Sequence, residues 1–442
     1  MTATRDLSRR TFLKGAAAAI GAPTVLGWAA ATARGAAAPS NRIVMGWIGV
    51  GGRGGGLLRS ATGRGDVQVV AICDVDRGRL ARARDGVRQQ YERAGRRGAR
   101  VDGYGDFRDL LARGDIDAVL IATPDHWHAL VSIAAAKAGK DIYCEKPLAN
   151  SIGEGQAVVK VVRRYGRVFQ TGSQERSGRA RFACELVRNG RIGKLHTIHT
   201  YLPTAHRQTG NHAPEPVPEG FDYNMWLGRA PWAPYHPLRC HGNFRWNRDY
   251  AIGELTDRGA HVNDIALWGA EPLLTGPVEI EGTGVFPKEG LWNSAIDYHI
   301  EYRYGSGLRI ITDSQNPDGS APTRGIKFVG SEGWLFVKIH GAALTAEPAG
   351  VLQQTIGEDE LHLHRSPGHF EDFLQAVRTR GETVAPPPQS HRTASFCHLG
   401  HAAILLGRKL VWDPVAERFT NDDEANRMIL PPCREPWTID LS

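Results

Sequence analysis

Hydrophobic positions follow two different patterns along this chain, and the change comes near residue 190. From residue 42 to about 150, short apolar runs alternate with polar stretches. Residues 67–73 (VQVVAIC) and 116–122 (IDAVLIA) are almost unbroken apolar runs, as strands buried on both faces should be. Residues 77–93 are charged and helical in character, residues 127–138 form an Ala-rich helix, and residues 141–144 form a short strand. This alternation predicts an α/β fold whose N-terminal part is a doubly wound parallel sheet with helices on both faces. Beyond residue 190 the runs alternate in polarity, at 194–202, 295–304, 308–312, 325–329 and 334–339. Turns at Gly305-Ser306-Gly307 and Gly330-Ser331-Glu332-Gly333 separate some of them. That pattern predicts a large, open, mostly antiparallel sheet with one buried face. Helices are expected at 254–268 and 390–408, the second punctuated at its start by Pro386-Pro387-Pro388. The intervening segment 203–250, rich in Pro, Trp, Tyr and His, is a long loop of the kind that carries function.

The first residues have a different logic. Ser8-Arg9-Arg10-Thr11-Phe12-Leu13-Lys14 has the form of a twin-arginine signal. A soft apolar stretch follows at 15–31, with small-residue cleavage sites at Ala31-Thr32-Ala33 and Ala36-Ala37-Ala38. The stretch is too short and too rich in Ala and Gly to read as a membrane span. The expected division is a signal peptide at 1–38, a dinucleotide-binding domain at 39–165, and a substrate-binding domain at 166–442. The twin-arginine export machinery is then a partner and the periplasm the destination. That route carries folded proteins, so a nucleotide enzyme should leave the cytoplasm with its cofactor loaded and hold it tightly.

Composition narrows the field. The formal charge of the 442-residue chain is +7, but the leader carries five cations against one anion, leaving +3. No basic run with interleaved aromatics follows, so nucleic acid is not an expected partner. The locally basic stretch 93–100 reads as a solvated loop. The six cysteines are scattered without a C-x-x-C pair, which predicts free thiols, with Cys73 and Cys144 near strand ends.

Three constellations carry chemistry. Gly49-x-Gly51-Gly52-Arg53-Gly54 follows an apolar strand and opens a helix, and Asp74 stands at the end of the next strand. Glycines there permit a tight turn and close approach to a pyrophosphate, and a carboxylate at Asp74 suits ribose hydroxyls while repelling a 2′-phosphate. NAD is therefore expected over NADP. Thr123-Pro124-Asp125-His126-Trp127-His128 and Glu145-Lys146-Pro147 each end a strand, where ligands bind in open parallel sheets. Lys146 there can stabilise an alkoxide, although a local salt bridge accounts for the motif equally well. Pro147 suits a sharp turn, a cis bond included. Asp257 and His261 are four residues apart, on one face of a helix, where a neutral His can serve as general base. An N-terminal acidic residue beside a satisfied helix His is the alternative reading. His128 is a candidate for the nicotinamide end. Gln174, Glu175 and Arg176, with Arg245, Trp246 and Tyr250 just before the catalytic helix, are candidates for a sugar pocket. His362-x-His364 and His398-x-x-His401 have ligand spacing but no partner set, so no metal is expected.

With these constellations together, the chain beyond residue 40 resembles the glucose–fructose oxidoreductase, inositol dehydrogenase and rhizopine-catabolism family (Gfo/Idh/MocA). Gly368-His369-Phe370-Glu371-Asp372-Phe373 and Gly407-Arg408-Lys409-Leu410 before Trp412-Asp413-Pro414 resemble its exported branch. The resemblance implies a Rossmann domain, a C-terminal α/β domain, dimers or tetramers formed through its sheet, and Lys146, Asp257 and His261 as the catalytic set. Thr123, Pro124, His128, Glu145 and Lys146 would then flank the cofactor. Asp125 departs from the pattern, since the family often has Asn there, and Glu254 stands where a small residue is usual. The implied activity is hydride transfer from a sugar, sugar derivative or polyol to a tightly held nicotinamide cofactor. The alternative is an NAD-dependent glycoside hydrolase or lyase working by transient oxidation, elimination and re-reduction.

Overall fold

Six parallel strands build the first sheet: β1 (Ile43–Ile48), β2 (Val67–Cys73), β3 (Asp102–Tyr104), β4 (Ala118–Ile121), β5 (Asp141–Cys144) and β6 (Phe169–Thr171). Their order is β3-β2-β1-β4-β5-β6, so the crossover reverses between β1 and β4. This computed structural model describes residues 41–205, 210–271, 276–316, 319, 322–341 and 343–439. The twin-arginine segment and its cleavage sites lie outside the described residues. Helices α1 (Gly52–Thr62), α2 (Arg77–Arg93), α3 (Phe107–Leu111), α4 (Asp125–Lys137) and α5 (Ile152–Arg164) make the crossovers. Both faces of the sheet are covered, which is why β4 (AVLI) and β5 (DIYC) are buried at every position. Asp76 caps α2 and Ser151 caps α5, each accepting a hydrogen bond from the backbone amide three residues on.

The second sheet has nine strands: β7 (Leu195–Tyr201), β8 (Pro277–Val285), β9 (Asp297–Tyr304), β10 (Arg309–Asp313), β11 (Gly325–Gly330), β12 (Gly333–Lys338), β13 (Leu344–Glu347), β14 (Leu410–Asp413) and β15 (Arg418–Phe419). All pairings are antiparallel except β7 with β10. Tyr298, Ile300, Tyr302 and Tyr304 of β9 alternate inward as the period of two requires. They meet helices α6 (Ala180–Arg188), α9 (Gly259–Ala270) and α11 (Pro387–Leu406), whose Cys184, Trp268 and Phe396 share that core.

Four features differ from expectation. Strand β6 belongs to the Rossmann sheet, so the boundary drawn at residue 165 falls too early. The division is also not linear in sequence. Helix α10 (His369–Thr379) inserts Phe373 and Leu374 among Trp47, Val69 and Tyr143 of the Rossmann core, covering apolar sheet that would otherwise face water. The helix expected at 254–268 is broken at Arg258 into α8 (Glu254–Asp257) and α9. Helix α11 starts earlier than 390, with Pro387 in its first turn, where a missing amide hydrogen costs nothing. The cysteines are free, with Cys73 and Cys144 ending β2 and β5, and the Lys146–Pro147 bond is cis.

Candidate active site

Gly49, directly after β1, takes φ +88° so that the chain can turn into α1. A Cβ at Gly54 would sit 2.1 Å from the Gly49 carbonyl oxygen, so only glycine lets the helix approach the turn. The first turn of α1 has no side-chain cap and no acidic residue, which leaves its amides and positive dipole end for an anion. Asp74 follows β2 and accepts hydrogen bonds from the amides of Val50 and Asp76, both at 2.9 Å. Burial holds its carboxyl above the ordinary range despite those amides. A cavity of about 810 Å³ runs from this turn to Lys146 and His261.

The residues at the turn fit a dinucleotide. Gly51 and Gly52 line the cavity, and a Cβ added to Gly52 would meet nothing within 4 Å. Asp74 is placed for ribose hydroxyls. Further along, the Thr123 hydroxyl is buried in the wall with no hydrogen-bond partner, an orphan that a ligand would satisfy. Glu145 takes Arg53 at 2.9 Å and the Gln174 amide at 3.1 Å. The long loop closes the adenosine side. Its Gly220 carbonyl accepts from the Arg77 amide and its Asp222 amide donates to the Val75 carbonyl, both at 2.9 Å. Helix α7 (Tyr223–Leu227) and a packed aromatic cluster brace the loop, and Phe221, His241 and Phe244 line the cavity beside Asp74.

At the other end of the cavity the two domains meet. The Lys146 ammonium, on the cis turn after β5, lies 2.6 Å from Asp257 Oδ1 and also donates to the Asp257 carbonyl. Arg245 contacts the same carboxylate at 3.0 Å. Burial alone would push the Asp257 carboxyl up, but Lys146 and Arg245 hold it far below the usual carboxylate range, so it is ionised. His261 is the opposite case. Burial first, then the charges of Lys146 and His340, keep its imidazole well below the ordinary value, and its Nδ1 is buried without a hydrogen-bond partner. It is therefore a neutral base beside an ammonium. His340 stands edge-on to it with ring centroids 4.9 Å apart, and its Nδ1 is 2.7 Å from Glu175. Two further carboxyls face the same space. Burial raises Asp125 from 3.8 to about 7 and Glu254 from 4.5 to about 7.

Gly49, Gly51, Gly52, Arg53, Asp74, Thr123, Pro124, His128, Glu145, Lys146, Gln174, Arg245, Trp246, Asp257 and His261 all line this one cavity. Gly54 packs beneath the turn instead. His128 braces the backbone rather than presenting a free nitrogen. Its ring nitrogens lie 2.6 Å from the Pro147 carbonyl and 2.9 Å from the Thr123 carbonyl, fixing the cis turn against β4. Two expected substrate residues are corrected. Arg176 is sealed in a bidentate ion pair with Asp264 at 2.7 and 2.8 Å, stacked on Trp268, and does not reach the cavity. Tyr250 is fully buried between His126 and Trp226. Sequence reasoning missed His340, which lies after β12 far from any motif, and the loop residues Phe221, His241 and Phe244. Among the described residues no group of three His, Cys, Asp or Glu side chains has metal-holding geometry.

Residues 43–173 match the oxidoreductase family NAD-binding Rossmann fold of Gfo/Idh/MocA, and residues 204–439, more than half the chain, match that family's C-terminal alpha/beta domain. The chain belongs to the Gfo/Idh/MocA oxidoreductase family. A glycosyl hydrolase family 109 protein of Stenotrophomonas maltophilia is 34% identical over 198 residues, 43% of this chain and 40% of that protein. Inositol 2-dehydrogenase of Salmonella typhimurium is 31% identical over 160 residues, 36% of this chain and 45% of that protein. The chain thus spans less than half the length of these curated relatives. Among solved structures, levoglucosan dehydrogenase in complex with NADH and levoglucosan superposes with a TM-score of 0.58 at 18% identity, covering 84% of this chain and 99% of that one. The WlbA dehydrogenase of Bordetella pertussis, in complex with NADH and UDP-GlcNAcA, gives 0.58 at 17% identity over 84% and 99%. At such identities the structures show the fold.

Proposed function

We propose that this protein is an NAD-dependent oxidoreductase that removes hydride from a carbinol carbon of a sugar, sugar derivative or polyol. The observation that carries the reading is that Lys146, Asp257 and His261 converge at one end of the cavity whose other end is the glycine turn and Asp74. NAD, when bound, supplies the hydride acceptor. The substrate hydroxyl lies against the Lys146 ammonium, which stabilises negative charge developing on its oxygen. Neutral His261 takes the hydroxyl proton. Asp257 holds Lys146 and Arg245 in place and balances their charge, so the ammonium does not drift toward solvent. The loop bearing Phe221 and Phe244 excludes water from the adenosine side and supports a tightly held cofactor. The test is NADH absorbance with purified protein, NAD and a panel of sugars and polyols.

A second reading has its own support. Asp125, Glu254 and the His340–Glu175 pair are more proton-handling groups than one alcohol oxidation needs. Transient oxidation, elimination and re-reduction of a glycoside would employ them. Release of an aglycone without net NADH selects this reading. The twin-arginine motif at residues 8–14 supports export to the periplasm as a folded holoprotein, and the face of the nine-stranded sheet opposite its helices, where alternate residues of β9 stay solvent-accessible, supports assembly into dimers or tetramers. Cell fractionation and light scattering test those two points.

A further inference from the structure

We propose that His340, held by Glu175, carries the proton taken by His261 out of the active site to solvent. The proposal rests on the oxidoreductase reading and deepens it. Oxidising a carbinol breaks a C–H bond, whose hydride goes to the nicotinamide, and an O–H bond, whose proton goes to His261. That proton must leave before the next turnover. His261 is 6% exposed and its Nδ1 is sealed, so the nitrogen open to the cavity is Nε2. Its surroundings do not favour a lasting imidazolium. Lys146 and Arg258 are nearby cations, and the Asp257 carboxylate is already engaged by Lys146 and Arg245. Asp125 and Glu254 would keep the proton inside, since both are buried.

His340 is differently placed. Its ring stands edge-on to that of His261 with centroids 4.9 Å apart, a separation that one water can bridge. Its side chain is 37% exposed. Nδ1 lies 2.7 Å from Glu175 Oε1 and donates to it, and among the described residues nothing bonds Nε2. A carboxylate that fixes one imidazole nitrogen and leaves the other open suits proton transfer. Both partners are held in place. Glu175 lies in the turn Gln174–Ser177, between two anchors. Gln174 donates to the Tyr143 hydroxyl at 3.0 Å and to Glu145 at 3.1 Å, and Arg176 is paired with Asp264 at 2.7 and 2.8 Å. His340 follows the buried Ile339 and takes φ +57°, a left-handed conformation uncommon outside glycine. Strain of that kind gathers where a side chain must be held for a task.

The way out is a second cavity of about 300 Å³. Glu175 and His340 line both cavities and form their shared wall. Gly178, Arg179 and Lys338, all exposed, line the outer one, so it opens to water. The charges of Arg179 and Lys338 on this side, and of Lys146 and Arg258 beyond His261, oppose a lasting imidazolium at His340, while Glu175 permits a passing one. The proton goes from the substrate hydroxyl to His261 Nε2, across one water to His340 Nε2, and from that nitrogen to bulk water. Glu175 holds the Nδ1 hydrogen throughout. The pair, surplus to the abstraction itself, works in the step after it.

The experiment is stopped-flow mixing of the NAD-loaded protein with the aldose or cyclitol that it oxidises fastest, in weak buffer with a pH indicator. NADH absorbance reads hydride transfer and the indicator reads the released proton. In the wild type the two rise together. In His340→Gln the proton appears at least about tenfold more slowly than NADH. Steady-state kcat falls by a like factor with KM unchanged, and imidazole added to the solvent restores it. Glu175→Gln gives the same pattern more weakly, and it decides alone if His340→Gln fails to retain NAD. Proton and NADH that still rise together in the variant overturn the relay. So does a loss of kcat that imidazole does not restore, which marks a structural role. If the wild type oxidises no aldose or cyclitol, the oxidoreductase reading fails and the relay falls with it. If it oxidises one and His340→Gln behaves as the wild type does, only the relay fails.

Discussion

Replacing Asp125 by Asn should stabilise the cofactor-free protein, and by more as the pH rises. Asp125 opens α4 at the carboxyl end of β4 and is 6% exposed. Burial raises its carboxyl from the ordinary 3.8 to about 7, against the opposing pull of Arg245 and Lys146. The folded state therefore binds the proton more tightly than the unfolded chain does. Stability from this group is complete below pH 3.8 and disappears as the pH climbs to about 7. The whole interval is about 3 pH units, or about 4 kcal/mol at 1.36 kcal/mol per unit. Between pH 5 and pH 8 the wild type should lose about 3 kcal/mol relative to Asn, which has the same shape and cannot ionise. The assay is urea unfolding of both proteins at the two pH values, followed by tryptophan fluorescence. Glu254 titrates in the same range in both, so its contribution largely cancels in the difference. A stability gap that stays constant from pH 5 to pH 8 would refute the reasoning, because Asp125 would then titrate as an exposed carboxylate does.

Removing the proposed base or ammonium should separate chemistry from binding: His261→Ala and Lys146→Ala are each expected to lower kcat about 10²–10⁴-fold while NADH still binds. Full turnover in both variants on the true substrate would end the catalytic assignment. Gly54→Ala places a methyl 2.1 Å from the Gly49 carbonyl, so the turn must open, and NADH affinity measured by fluorescence should fall at least about tenfold. Arg176→Ala leaves Asp264 as a lone buried carboxylate and should cost about 3–5 kcal/mol of stability, read as a lower melting temperature. If Arg176 instead touched substrate, the loss would appear in KM with the melting temperature unchanged.

Much of the site was legible in the sequence because its parts are local. A glycine that must turn at φ +88°, a helix that must approach that turn closely, and an acid at the end of the next strand are fixed by neighbours within some thirty residues. Lys146 was legible for the same reason, since the turn at Pro147 ends a buried strand. Arg176 and Tyr250 were misread because polar and aromatic residues beside a motif serve a core as well as a pocket, and only the packing tells which. Arg176 has Asp264 and Trp268 around it, and Tyr250 has His126 and Trp226.

The alternating and continuous apolar runs thus determined by themselves that there would be a parallel sheet followed by a mostly antiparallel one. The glycine turn determined where a dinucleotide would lie. Tertiary structure alone decided what faces that turn and what charge the substrate meets. The loop that closes over Asp74 comes from 220–244, the helix completing the Rossmann core from 369–379, and His340 from the end of β12. Residues so far apart in sequence share no period or spacing, so no local pattern connects them. The ion pairs that join Lys146 and Arg245 to Asp257 exist only because the two domains meet around one cavity. The raised carboxyls of Asp125 and Glu254 and the neutral imidazole of His261 follow from the water that this meeting of domains excludes.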